Sequence, residues 1–290
     1  MKYLQILIII LLIISCKSTK RVTVTSSNTH KTETQEIVKD TIKVSVNSEV
    51  ENTVSKTEAP ESIQINPVIK EEEEELSTLN HRDWTVLLQK HVSDQGNVNY
   101  LGFKNDRKAL LAYIRDLGKN IPVSTWSKQE KLAYWINAYN AMTIDLILRH
   151  YPVESIKDIK KPWDQRFWKL GEKWYNLNEI EHDILRKMDE PRIHFAIVCA
   201  SFSCPKLENN AFISNTLEAQ LTNVTKEFLS DEKRNEISEN SIKISKIFQW
   251  FSKDFKQNGS LIDFLNQYSD IKISNNTKKD FKDYDWSLNK

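Results

Sequence analysis

"SKQEKLAYWINAYNAMTIDLILRH" (residues 127–150) decides the fold. Ser127 and Glu130 stand at the spacing of a capping box, in which each side chain satisfies the other's free backbone N–H. Their place at the head of an apolar run predicts a long helix reaching His150, and Pro152 ends it. At about 100° per residue, Leu132, Trp135, Ile136, Tyr139, Met142, Thr143 and Leu146 share one arc. Ala133, Ala141, Ile144, Ile147 and Leu148 occupy the opposite side, and charge is confined to a thin strip of Lys131, Asp145 and Arg149. A helix apolar nearly all round belongs in the centre of a domain. Asn137 and Asn140 lie within that buried surface, where an amide without a partner costs on the order of 1–3 kcal/mol. Each is therefore expected either to bind nearby backbone or to line a site as a substrate-binding group or oxyanion donor.

Around this helix the chain reads as one domain. From Trp84 to Lys290 lie all eight Trp, all eleven Phe and eight of the nine Tyr, in 207 residues, enough for one sizeable core. Helices are expected over Trp84–Val92, Arg107–Leu117, Asn178–Met188, Ile247–Phe255 and Leu261–Tyr268. A hairpin is expected over 167–177, turning at Gly171, with strands over Arg192–Cys199 and 241–245. Helices outnumber strands and do not alternate with them, so the expected class is α+β. It is a mostly helical single domain, residues 77–290, around a small, largely antiparallel sheet with a buried central helix.

The first 76 residues have another composition. Lys2 precedes the apolar run Ile6–Ile14, too short for the roughly 20 residues of a spanning helix, and Ile13-Ile14-Ser15-Cys16 resembles a bacterial lipobox. Residues 1–15 are read as a lipoprotein signal peptide and Cys16 as the lipidated residue, a membrane anchor in the bacterial cell envelope. Lys17 favours the outer membrane. From Lys17 to Asp83 there is no Phe, Trp, Tyr or Gly, and residues 16–76 are read as a disordered tether. A formal net charge of +1 excludes an electrostatic footprint for nucleic acid. Five glycines provide no phosphate-binding loop, HExxH is absent, and no cofactor or metal is expected.

Candidate chemistry gathers in "PRIHFAIVCASFSCP" (191–205) and in "LNEIEHDILR" (177–186). On the helix 178–188, Glu181 falls inside the apolar arc of Ile180, Ile184, Leu185 and Met188, with His182 at its edge. Asn178 and Glu181 have capping-box spacing, so Glu181 has a structural use as well as a catalytic one. A carboxylate beside an imidazole is the usual device for holding a base in one tautomer. In a straight strand His194 and Cys199 lie roughly 16 Å apart on opposite faces. His182 is therefore the expected base for Cys199, and Arg192 and His194 contact substrate. Cys199 has competing fates: a free nucleophile, a disulfide to Cys204, or an inert core thiol. A zinc corner from His182, His194, Cys199 and Cys204 is a further alternative, on a spacing looser than the usual knuckle.

These segments, with "YWINAYNAMTI" (134–144), "ISKIFQWFSKDF" (244–255) and "YDWSLN" (284–289), resemble domain-of-unknown-function family 547 from about Trp84 to Asn289. The resemblance implies the fold and points to Cys199 as the site residue, because members lacking the second cysteine occur. Members commonly carry Gly where this chain has Ala200. No agreed activity comes with the family. Two functions are expected from the residues. One is a thiol-dependent hydrolase or acyltransferase acting on an amide or ester, with Cys199 as nucleophile, His182 as base, Glu181 as orienter and Asn137 or Asn140 at the oxyanion. The other is a non-catalytic envelope module binding a small molecule, peptide, glycan or protein partner.

Overall fold

The computed structural model describes residues 79–290. The expected signal peptide, the expected lipidation at Cys16, the expected tether and the expected boundary at residue 77 lie outside the described residues. Three helices come first, α1 (Arg82–His91), α2 (Tyr100–Asn105) and α3 (Arg107–Lys119). They lead to the central α4 (Lys128–His150). Its capping box forms as the sequence requires: the Ser127 hydroxyl accepts from Glu130 N at 3.2 Å, and Glu130 Oε2 accepts from Ser127 N at 2.6 Å. Every residue from Leu132 to Leu148 is buried.

Asp145, expected in the polar strip, has no exposure at all. It is held by Arg107 of α3 at 2.7 Å, by Arg149 one turn later at 2.7 Å and by the Trp168 indole N–H at 2.9 Å. One carboxylate thus ties α4 to α3 and to the hairpin beside them. A buried charge persists only where such partners satisfy it.

The hairpin pairs β1 (Trp168–Leu170) with β2 (Lys173–Tyr175) antiparallel, Trp168 opposite Tyr175. Gly171 takes φ +55° at its turn, the left-handed conformation that costs glycine little. The helix expected from Asn178 begins earlier, as α5 (Leu177–Glu179). Its cap is Asn176, whose side chain accepts from Glu179 N at 2.8 Å, so the Asn178–Glu181 box does not form. A π-helical turn (Ile180–Ile184) and a 3-10 turn (Leu185–Met188) continue it.

The segment read as a central strand is mostly helical. Ile193–Ala196 form the single turn α6, and only at Ile197 does the chain become extended. An all-apolar run reads alike for a buried strand and a buried turn, so periodicity could not separate them. Here the Asn140 side chain takes the backbone groups that a neighbouring strand would have paired: Val198 N donates to it at 3.0 Å and it donates to Ala196 O at 2.9 Å.

Helix α7 (Leu217–Ser230) covers α6. It is followed by β3 (Glu236–Ile237), β4 (Ser241–Ile244), the short α8 (Ile247–Trp250), α9 (Leu261–Tyr268) and β5 (Lys278–Phe281). Instead of one sheet there are two small ones among the described residues, and β4 pairs antiparallel with β3 but parallel with β5. The class is mostly helical α+β. The C-terminal tail runs between two loops: Leu288 N donates to Glu154 O at 2.8 Å, and Phe202 N donates to Ser287 O at 2.7 Å. This stitching brings Tyr284 and Trp286 against the loop that carries Cys199 and Cys204.

Candidate functional site

A cleft of about 350 Å³ opens where α4, the turn after α5, the 197–205 loop, α8 and the C-terminal tail meet. Tyr139, Glu181, His182, His194, Cys199 and Cys204 line its depth. Trp163, Trp250, Phe251, Tyr284 and Trp286 wall it. The aromatic groups touch one another. Tyr284 and Trp286 have ring centres 4.6 Å apart, Trp250 and Tyr284 4.8 Å, and Trp163 meets Trp286 edge-on at 6.1 Å. Trp250 is 46% exposed, so this wall keeps an open indole face.

The two imidazoles are organised differently from the expectation. His194, buried and stacked on Phe251 at 4.0 Å, donates through Nε2 to Asp254 Oδ2 at 2.8 Å. Arg186 clasps the same carboxylate twice, at 2.6 and 2.9 Å. It also donates to His182 Nδ1 at 2.8 Å. Burial lowers the affinity of His194 for a proton, against the opposing pull of Asp254. Burial also raises the Asp254 carboxyl, but the hydrogen bonds from His194 and Arg186 outweigh it and hold the group well below the usual carboxylate range. The pair is thus a neutral imidazole on an ionised carboxylate, with the lone pair of His194 at Nδ1.

For His182 the same logic runs the other way. A guanidinium is a donor only, so Nδ1 must accept and Nε2 carries the proton. His182 in this arrangement offers an N–H rather than a basic nitrogen. Glu181 does not orient it, since the Glu181 carboxylate accepts from the buried Tyr139 hydroxyl at 3.0 Å. The carboxylate–imidazole pair beside this cleft is Asp254 with His194, of which His194 lines it. Asp254 was missed because "ISKIFQWFSKDF" reads as one amphipathic helix. The chain instead makes α8, turns, and enters a short 3-10 helix at Asp254.

Cys199 and Cys204 are joined in a disulfide, with Cα atoms 6.3 Å apart. Three polar groups surround it. Cys199 N donates to Cys204 Sγ at 2.9 Å, the Tyr284 hydroxyl lies 3.3 Å from both sulfurs, and Ser201 Oγ lies 3.2 Å from Cys199 Sγ. Burial pushes the Tyr284 phenol up to about 12, so it remains a donor through the neutral range. In this bridged form Cys199 carries no nucleophilic sulfur, and the sulfurs form part of the cleft lining.

The remaining expected site residues stand elsewhere. Asn137 closes a two-point bond with the Phe212 backbone, donating to its carbonyl at 2.7 Å and accepting from its N–H at 3.0 Å. Asn140 clamps Ala196 and Val198, as described above. With both ends engaged, neither amide is aimed at a ligand, and their role is to fasten neighbouring chain to α4. Arg192 is held by Glu190 and Glu218, at 2.7 and 2.6 Å, on the far side of α6 and outside the cleft. His194, expected to contact substrate rather than to act as the base, lines the cleft from a helical turn instead of a strand. Among the described residues no group of three His, Cys, Asp or Glu is arranged to hold a metal ion.

Fold and cleft together define a mostly helical α+β domain with an aromatic-walled pocket lined by a disulfide and by His194, whose imidazole is backed by the Asp254 carboxylate. Residues 123–229 match the model of the family described as protein of unknown function, DUF547, which supports a domain of that family in the chain. The match spans α4 to α7 and includes Glu181, His182, His194 and both cysteines, but stops short of Asp254 and Tyr284. No curated protein and no solved structure matches the chain.

Proposed function

We propose that this is an envelope protein, anchored through a lipidated Cys16, whose cleft binds glycan. The observation that carries the reading is that Trp163, Trp250, Tyr284 and Trp286 line, together with Glu181 and His194, one cleft of about 350 Å³. Sugar rings present C–H faces that lie against indole and phenol rings, and hydroxyls that pair with carboxylate and imidazole. Apolar walls with a few convergent polar groups are the usual composition of a small-ligand site. Titration of the protein with soluble β-linked N-acetylhexosamine oligomers, followed by tryptophan fluorescence, is expected to give a saturable change. Trp250→Ala should weaken binding at least tenfold without lowering the melting temperature. The absence of any saturable response to the oligomers would overturn the glycan reading. Cys16→Ser should move the protein from the membrane to the soluble fraction; continued membrane association would remove the anchor.

A second reading, thiol-dependent hydrolysis or acyl transfer, draws on the Asp254–His194 pair, which resembles an oriented base. It applies to the reduced protein alone, and the base is then His194 rather than His182. Acyl-enzyme trapped on Cys199 of reduced protein by a thioester substrate supports it. Failure to trap any in fully reduced, folded protein eliminates it.

A further inference from the structure

The Cys199–Cys204 bridge differs in its setting from a staple. It closes a ring across a separation of five residues, and the chain inside that ring is held in place without it. Phe202 N donates to Ser287 O at 2.7 Å, Ser203 N to Asp285 O at 3.2 Å and Asn289 N to Ala200 O at 3.3 Å. Arg234 donates to the carbonyls of Phe202, at 2.6 Å, and of Cys204, at 2.8 Å. Opening the bridge therefore leaves the loop in place, the two sulfurs parting only from bonding to contact distance.

The two sulfurs are also unequal. Cys199 is partly exposed at the cleft, whereas Cys204 is 3% exposed. The backbone donor is on the inner sulfur, Cys199 N–H lying 2.9 Å from Cys204 Sγ; the Tyr284 hydroxyl, accepting from Ser201 Oγ at 3.1 Å, lies 3.3 Å from both sulfurs, and Ser201 Oγ lies 3.2 Å from Cys199 Sγ. A leaving thiolate needs such donors, and the sulfur that is attacked needs access.

We propose that Cys199–Cys204 is a redox-active pair that exchanges with thiols entering the cleft, Cys199 receiving the incoming sulfur and Cys204 departing as the thiolate. A thiolate RS⁻ attacks Cys199 Sγ. The RS–Cys199 bond forms as the Cys199–Cys204 bond breaks, and the electron pair goes to Cys204 Sγ, which the amide and Tyr284 stabilise. A second thiol attacks the mixed disulfide and releases RSSR, leaving Cys199 as a thiol. Two thiols are oxidised to one disulfide and the protein disulfide is reduced to two thiols. Re-oxidation is the same pair of steps in reverse with a small disulfide. Glycan binding by the cleft does not enter this inference, so either can fail alone.

The test uses the folded full-length chain with glutathione as the thiol, acid quench, alkylation and peptide mapping. Reduced glutathione in native buffer is expected to open the bridge. In Cys204→Ser, oxidised glutathione should add to Cys199 at least tenfold faster than it adds to Cys204 in Cys199→Ser. Tyr284→Phe should slow opening of the wild-type bridge about fivefold, the worth of one hydrogen bond, with an unchanged melting temperature. A bridge that resists glutathione in native buffer and opens only in denaturant overturns the proposal, and this measurement needs no variant. Equal or reversed reactivity of the two cysteines overturns the assigned roles.

Discussion

Asn140 divides one side chain between the carbonyl of Ala196 and the N–H of Val198, and both of those groups are buried with it. Removing the amide leaves two backbone groups unpaired in a dry environment, at about 1–3 kcal/mol each. Asn140→Ala is therefore expected to destabilise the domain by about 2–5 kcal/mol in urea denaturation, a loss too large for a surface or ligand-binding role alone. A loss under 1 kcal/mol would contradict the clamp. Ala200 is a different kind of constraint. It holds φ +59° in a fully buried position, where a Cβ is strained by about 1–2 kcal/mol. Glycine there removes the strain, offset in part by the added freedom of the unfolded chain. Ala200→Gly is expected to leave stability unchanged or slightly raised, while Ala138→Gly within α4 should lower it by about 1 kcal/mol. Equal losses in calorimetry would argue against a left-handed residue 200.

At the scale of elements, α4 organises the rest. Its length and its start were legible because capping and periodicity are local, and the structure reproduces both. Ser127→Ala removes the cap at the exposed end of the helix and is expected to cost about 1 kcal/mol, read as a shift in the urea midpoint with an unchanged slope. Other elements escaped a local reading. The turn α6 lies in a run apolar on all sides, where neither the 2-residue nor the 3.6-residue period is visible. The break between α8 and Asp254 falls inside an amphipathic pattern that would also suit one continuous helix. Both errors bear on the site: the first misread the element that carries His194, and the second concealed its partner Asp254. The loop 199–204 is held by the tail as well as by its bridge. For so small a ring the chain-entropy gain of a disulfide is about 2 kcal/mol, so the Cys199→Ser/Cys204→Ser double variant is expected to remain folded.

For the whole molecule the buried imidazoles set the response to acid. Burial lowers His81, which shares a 2.7 Å hydrogen bond with Tyr113, from its ordinary 6.5 to about 4. Between these values the unfolded chain binds a proton there that the folded chain does not, so stability falls as pH falls. The full difference is about 3 kcal/mol. His194, also lowered by burial, acts with the same sign below 6.5. Asp254, held low by its partners, adds stability that is present above its ordinary 3.8 and is lost below it. Thermal unfolding is therefore expected to show a midpoint that falls steadily from pH 6.5 to 4, with a shallower fall in His81→Phe. A midpoint independent of pH over that range would contradict the burial of both rings.

What the sequence determined by itself is whatever depends on neighbours along the chain. The capped, all-round apolar helix 128–150 follows from it, as do the hairpin turning at Gly171, the helix 261–268 and the α+β class. Burial of the two asparagines and the candidacy of Glu181, His182, His194 and the cysteines for a site were legible too. Tertiary structure alone decided which carboxylate meets which imidazole, what the asparagines grip, and that the tail brings Tyr284 onto the sulfurs. Those pairings join residues 56 to 85 positions apart. Such contacts follow from the direction each element takes after its turn, which tertiary packing sets and local sequence pattern does not.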